Sequence, residues 1–179
     1  MKKVFGIIGV VLSVALITGC GDPTATTSEY NEEESKVTES NIKKEKKSYK
    51  VGDDIKVSNE NGNYRVKITK VEETPKRYKS SINPSNVKKV IIISYEYENL
   101  DLEDDLYVSS SDLKVYDKQN NILEQYYGLD EKSPNYISTG RKTNAQMVVA
   151  SDSDDNYVEI ELYDNMFDNK PICKIVAEW

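Results

Sequence analysis

The chain has 179 residues, with 24 lysines and arginines against 31 aspartates and glutamates, no histidine, and a formal net charge of −7. A binder of phosphate backbones needs a basic surface to release counterions, so no nucleic-acid partner is expected. Without histidine the commonest general base and the commonest metal ligand at neutral pH are missing, which removes zinc chemistry and most acid–base catalysis.

Lys2 and Lys3 precede an apolar run from Val4 to Ile17 that ends in Ile17-Thr18-Gly19-Cys20. A positive start, a short apolar stretch and small residues before a cysteine form the pattern of a bacterial lipoprotein signal. Residues 1–19 are therefore expected to be removed and Cys20 to carry the lipid. An uncleaved transmembrane helix is the rival reading, but the 14 residues of the run fall short of the roughly 20 that cross a bilayer. Diacylation holds a protein on a membrane far more firmly than one chain, at about 0.8 kcal/mol per buried methylene. The expected address is the outer face of the cell membrane. Loss of Lys2 and Lys3 leaves 22 basic and 31 acidic residues, a net charge of −9, so the anchor rather than the surface must supply membrane affinity.

From Gly21 to Ser48 almost nothing is apolar beyond Val37 and Ile42, and such a segment buries too little surface to offset chain entropy. Residues 20–48 are thus expected to be the lipidated cysteine and a disordered tether. Within it Lys43, Lys44, Lys46 and Lys47 form a basic cluster, either solvated linker or a contact to anionic headgroups.

Residues 49–179 change to period-two alternation with breakers at short intervals, the pattern of one all-β domain of about 130 residues. Tyr64, Val66 and Ile68 alternate with polar residues after Asn59-Glu60-Asn61-Gly62, whose Asn-Gly pair predicts a tight hairpin with Ile55 and Val57 opposite. Val90 to Ile93 is continuously apolar and passes into Tyr95 and Tyr97, as in a central strand buried on both faces at its start. Asp112 to Asp117 and Ile122 to Tyr127 are predicted strands joined by Lys118-Gln119-Asn120-Asn121, with at most one helical turn before them, between Glu103 and Ser111. Thr143 to Ala150, Tyr157 to Tyr163 and Ile172 to Ala177 complete a set of seven to nine. With Cys20 assigned to lipid, Cys173 has no disulfide partner, and alternation places it inward with Ile175, Ala177 and Trp179 as a small hydrophobe.

Tyr49-Lys50-Val51-Gly52-Asp53, the strand ending Tyr95-Glu96-Tyr97-Glu98-Asn99, the run Ser110 to Asp117, and Ile137-Ser138-Thr139-Gly140 follow one another in an order that resembles an immunoglobulin-like domain family. That family is uncharacterised, is common on lipoproteins of low-GC Gram-positive bacteria, is sometimes mislabelled telomeric repeat-binding factor, and is related in fold to a mycobacterial immunoprotective extracellular antigen. The resemblance implies an immunoglobulin-like β-sandwich and an extracellular address, and transfers no catalytic or ligand-binding residue. The acidic insert Asp101 to Asp105 departs from the pattern.

Ser-x-x-Lys occurs at Ser40/Lys43, Ser85/Lys88 and Ser111/Lys114, but without the companion elements of penicillin-recognising enzymes. No catalysis and no cofactor are expected. Two acidic loops, one with Asp101, Asp104 and Asp105 and one with Asp152 and Asp154, raise calcium, although Tyr157 and Tyr163 stand where an EF-hand needs Gly and Glu. Of the 13 tyrosines, Tyr64, Tyr95 and Tyr97 fall on inward faces, whereas Tyr78, Tyr126, Tyr127 and Tyr136 fall at loops as candidate recognition residues. The expected function is non-catalytic protein binding, to an envelope or extracellular protein, by a module tethered to the membrane through its N-terminal lipid. The alternative is a small-ligand, glycan or calcium-binding extracellular domain.

Overall fold

The computed structural model describes residues 48–179, so Cys20 and the basic cluster at Lys43 to Lys47 lie outside the described residues. Nine strands follow in chain order: β1 (Ser48–Lys50), β2 (Ile55–Asn59), β3 (Gly62–Thr74), β4 (Lys89–Asn99), β5 (Leu113–Tyr116), β6 (Glu124–Gln125), β7 (Lys142–Ser151), β8 (Tyr157–Leu162) and β9 (Cys173–Glu178). One sheet has the order β1-β9-β8-β5 and the other β2-β3-β4-β7-β6. Together they form a β-sandwich, and a single 3-10 turn, Ser110–Asp112, is the only helix among the described residues.

Alternation explains the layers. Val66, Ile68, Ile93, Tyr95, Tyr97, Met147 and Val149 of one sheet meet Val115, Val158, Ile160, Leu162, Ile175 and Ala177 of the other in one buried core. Cys173 lies in this core as expected, while Trp179 stays 36% exposed. β4 is the central strand of its sheet, paired with both β3 and β7. Its start is apolar on both sides because Val90 faces away from the main core, into a second cluster with Tyr126, Val148 and Ala150.

The first hairpin forms with Ile55 and Val57 opposite β3 as expected, and they face Val66 and Tyr64. Its turn differs from the expected Asn-Gly type. Glu60 and Asn61 occupy the centre, and the positive φ of 130° falls on Gly62, the first residue of β3. A Cβ there would lie 2.8 Å from the Asp101 carboxylate, so glycine is required by conformation and by close approach.

The expected pairing of Asp112–Asp117 with Ile122–Tyr127 is corrected. Asp117 does turn the chain, its carboxylate accepting from the Gln119 and Asn121 N–H groups at 2.9 and 2.8 Å while Asn120 takes a positive φ of 64°. Contact across the turn then stops at the Tyr116/Ile122 bridge and the bond from Leu123 N–H to the Val115 carbonyl. Beyond it the chain changes sheet: β5 pairs with β8, and β6 pairs with β7.

A buried polar residue closes the end of the core. Asn99, fully buried at the end of β4, donates from Nδ2 to the carbonyls of Asp104 and Ile137 at 3.0 and 3.4 Å and accepts the Leu102 N–H at 2.9 Å. The acidic insert and the segment before β7 are thereby fixed to one side chain. Leu102, Leu106 and Val108 turn inward, leaving the polar residues between them outside.

Candidate functional site: a tyrosine-lined acidic cleft

The two acidic loops lie at opposite ends of the sandwich, because Asp152 and Asp154 precede β8 whereas Asp101 to Asp105 follow β4, next to the exit of β8 at Asp164. At about 3.3 Å per residue, the length of β4 separates these ends by roughly 35 Å. The loops therefore cannot share a ligand.

At the β4 exit a cleft of about 590 Å³ is lined by residues of the β2–β3 turn, the insert, the loop after β8, and Tyr136. Four tyrosines and four carboxylates face it, Tyr64, Tyr107, Tyr136 and Tyr163 with Asp104, Asp105, Asp112 and Asp164, and no lysine or arginine is among its lining residues. Tyr107 and Tyr136 stack with ring centroids 4.5 Å apart and planes 22° from parallel. They remain 39% and 71% exposed, an apolar surface held open on a polar rim.

Two of the carboxylates also serve the fold. The Ser109 N–H and hydroxyl both donate to Asp112, at 2.8 and 2.9 Å, in a capping box that starts the 3-10 turn. The buried Tyr64 hydroxyl donates to Asp164 at 2.7 Å, and burial first, then this bond, raises the Tyr64 phenol well above its usual range. Tyr64 therefore stays a neutral donor. Asp104 and Asp105 form no ion pair among the described residues. The cation beside the cleft is Lys114, whose Nζ lies 4.1 Å from the ring centroid of the lining residue Tyr163.

The other expected residues are placed differently. Asp101 accepts from Asn63 Nδ2 and N–H, which ties the β2–β3 hairpin to the insert. Asp154 pairs with Lys88 at 2.6 Å, and Asp152 lines a separate cleft near Ile122 and Ala150. Among the described residues no three acidic or thiol side chains gather where a metal ion could sit.

Tyr126 corrects the expectation of an exposed recognition residue. It is 4% exposed, and its hydroxyl accepts the Tyr78 N–H at 2.8 Å and donates to the Tyr78 carbonyl at 3.0 Å. Tyr78 and Tyr127 do stay exposed, and Tyr78 lines a second cleft of about 710 Å³ with Arg77, Lys79 and Asn83. Asn83 binds both: its Nδ2 donates to the Tyr78 and Tyr127 carbonyls at 3.0 Å, and its Oδ1 accepts the Tyr127 N–H at 2.7 Å. Tyr107 was the residue sequence reasoning passed over. Its signal is the alternation Leu106-Tyr107-Val108 directly after the acidic run, which buries 106 and 108 and turns 107 outward.

Fold and cleft define an all-β sandwich domain with a concave aromatic end. No protein-family model matches the chain, and no curated protein matches it. Among solved structures it is similar to MPT63, a secreted protein of Mycobacterium tuberculosis, with a TM-score of 0.55 and 9% identity over 74% of this chain and 96% of that one. It is also similar to ycdA of Bacillus subtilis, described as a candidate lipoprotein, with a TM-score of 0.53 and 20% identity over 70% of this chain but 39% of that one. At these identities the likeness shows the fold alone. That fold is the one the sequence resemblance implied. Among the described residues no helix is long and apolar enough to cross a membrane.

Proposed function

We propose that this chain is a lipid-anchored extracellular protein whose sandwich is a non-catalytic protein-interaction module, and that the tyrosine-lined cleft is its binding surface. The lipoprotein signal ending at Cys20 supports the address, as do fold neighbours described as secreted and as a candidate lipoprotein. The observation that carries the binding role is the exposed Tyr107–Tyr136 stack. Large aromatic rings held rigidly at a surface supply contact area at little entropic cost and are enriched where partners bind. The stack also lies on loops fixed by Asn99 and Tyr97, so the surface is formed before a partner arrives, which lowers the cost of ordering on binding.

Short-range crosslinking of the lipidated protein in intact producing cells, followed by affinity recovery and mass spectrometry, tests this reading. A dominant protein that is lost when Tyr107 and Tyr136 are changed to Ser establishes the role and the surface. Recovery of the same proteins with and without those rings would contradict it.

A further inference from the structure

Resting on that binding role, we propose that the partner presents an arginine, whose guanidinium lies against the open face of the Tyr136 ring and is bonded by the carboxylates of Asp104 and Asp105. Among the described residues four carboxylates and no lysine or arginine line the cleft, and the cation beside it, Lys114, is held over the Tyr163 ring, so Asp104 and Asp105 are left to attract positive charge from a partner. Its flat aromatic wall selects the form of that charge.

One face of Tyr136 is covered by Tyr107, and at 71% exposure most of the remaining ring is open. A planar guanidinium stacks on such a face and still directs its N–H groups sideways, in a fork that matches a carboxylate. A lysine ammonium is a compact, strongly hydrated charge and cannot do both at once. This protein already places a cation on a tyrosine, with Lys114 Nζ 4.1 Å from the ring centroid of Tyr163 at the wall of the same cleft. Met166, 52% exposed and also lining the cleft, adds apolar surface for the arginine's methylene stem.

The occupant is an extended stretch of a partner protein rather than a free small cation. A cleft of about 590 Å³ is larger than one arginine side chain, and the exposed Tyr107 and Tyr136 rings that line it give neighbouring residues somewhere to lie. The test is calorimetric titration of the full mature chain, lipidated and held in a neutral maltoside detergent. The probes are a flexible Gly-Ser peptide carrying spaced arginines, its lysine and glutamate counterparts, and free choline.

The expected result is binding of the arginine peptide several-fold tighter than the lysine peptide, weakening with salt, and none of the glutamate peptide or choline. Tyr136→Ala and the Asp104→Asn/Asp105→Asn pair should each weaken it by about tenfold, whereas Tyr136→Phe should leave it nearly unchanged. Equal binding of lysine and arginine peptides, binding of choline, or indifference to these variants would overturn the proposal. Absence of peptide binding would overturn it too. If cell crosslinks through Tyr107 and Tyr136 persisted in that case, the interaction role would stand and only the guanidinium would fall.

Discussion

Tyr97 grips a single residue of the loop before β7 by both its backbone groups: its hydroxyl accepts the Asn135 N–H at 2.8 Å and donates to the Asn135 carbonyl. Tyr126 holds Tyr78 in the same reciprocal way. In each pair a ring anchored in an apolar cluster fixes a loop that has no strand partner of its own there. Asn135 directly precedes Tyr136, so the first clip sets the position of the exposed stack.

Removing that hydroxyl tests the link between core and cleft. Tyr97→Phe keeps the buried ring and leaves the Asn135 backbone groups to water, so it should cost about 1–2 kcal/mol in denaturant unfolding. Hydrogen exchange at 135–137 should rise while that of β8 does not. An unchanged exchange pattern would mean that Tyr136 is positioned by other contacts.

Asn99 should matter more. With donors to two carbonyls and an acceptor for Leu102, Asn99→Leu leaves several buried groups unpaired and should cost about 3 kcal/mol. Asn99→Asp should be no better, because a carboxylate oxygen then faces the Asp104 and Ile137 carbonyls. Equal stability of Asn99→Asp and the parent chain in urea would show that the amide donors are not what closes this end.

Gly128→Ala should release the loop between β3 and β4. Gly128 has a φ of +89°, and a Cβ would sit 2.5 Å from the Tyr78 ring. The ring must move, taking the Tyr126 clip with it, so protease cleavage between residues 75 and 88 should become faster. Gly140→Ala is a useful comparison, because its φ of +73° is similar but nothing lies within 4 Å of the added atom. Its strain should appear in stability without faster cleavage there.

Alkaline pH should destabilise the domain through buried acids. Burial pushes the Cys173 thiol up to about 12, against about 8.5 for an unfolded thiol. Burial likewise raises the Tyr95 phenol, with Tyr97 and Tyr107 adding to it. Groups held protonated in the fold favour it fully below their unfolded pKa, and this advantage is lost as pH rises toward the folded value. The denaturant midpoint should therefore fall as pH rises above about 8.5, and fall less steeply between about 8.5 and 10 in Cys173→Ala, where the tyrosines have hardly begun to ionise. Native Cys173 should resist alkylation until unfolding exposes it. Parallel midpoint curves for the two proteins would contradict the thiol's part.

Much of the fold was legible because burial writes a period of two into strands. The pairing of Ile55 and Val57 with β3, the central place of β4 and the inward Cys173 follow from that pattern. It carries no mark of which sheet a strand joins, so the passage from β5 to β6 looked like an ordinary hairpin after Asn120. Loop tyrosines were harder still. Tyr126 and Tyr127 are adjacent and chemically identical, yet one fills the pocket between Val90 and Val148 and the other stays outside. The Tyr107–Tyr136 stack joins residues 29 positions apart, brought together by the Leu106/Ile137 bridge, a contact that local alternation does not encode.

The most direct measurement is photocrosslinking from single positions in intact producing cells, with a benzophenone amino acid replacing Tyr136 in the cleft, Tyr127 in the loop after β6, or Tyr157 on the outer face of β8. If the cleft is the binding surface, position 136 captures one dominant extracellular or envelope protein that 127 and 157 do not. Capture from 127 or 157 with none from 136 would place the interaction elsewhere and contradict the role given to the stack.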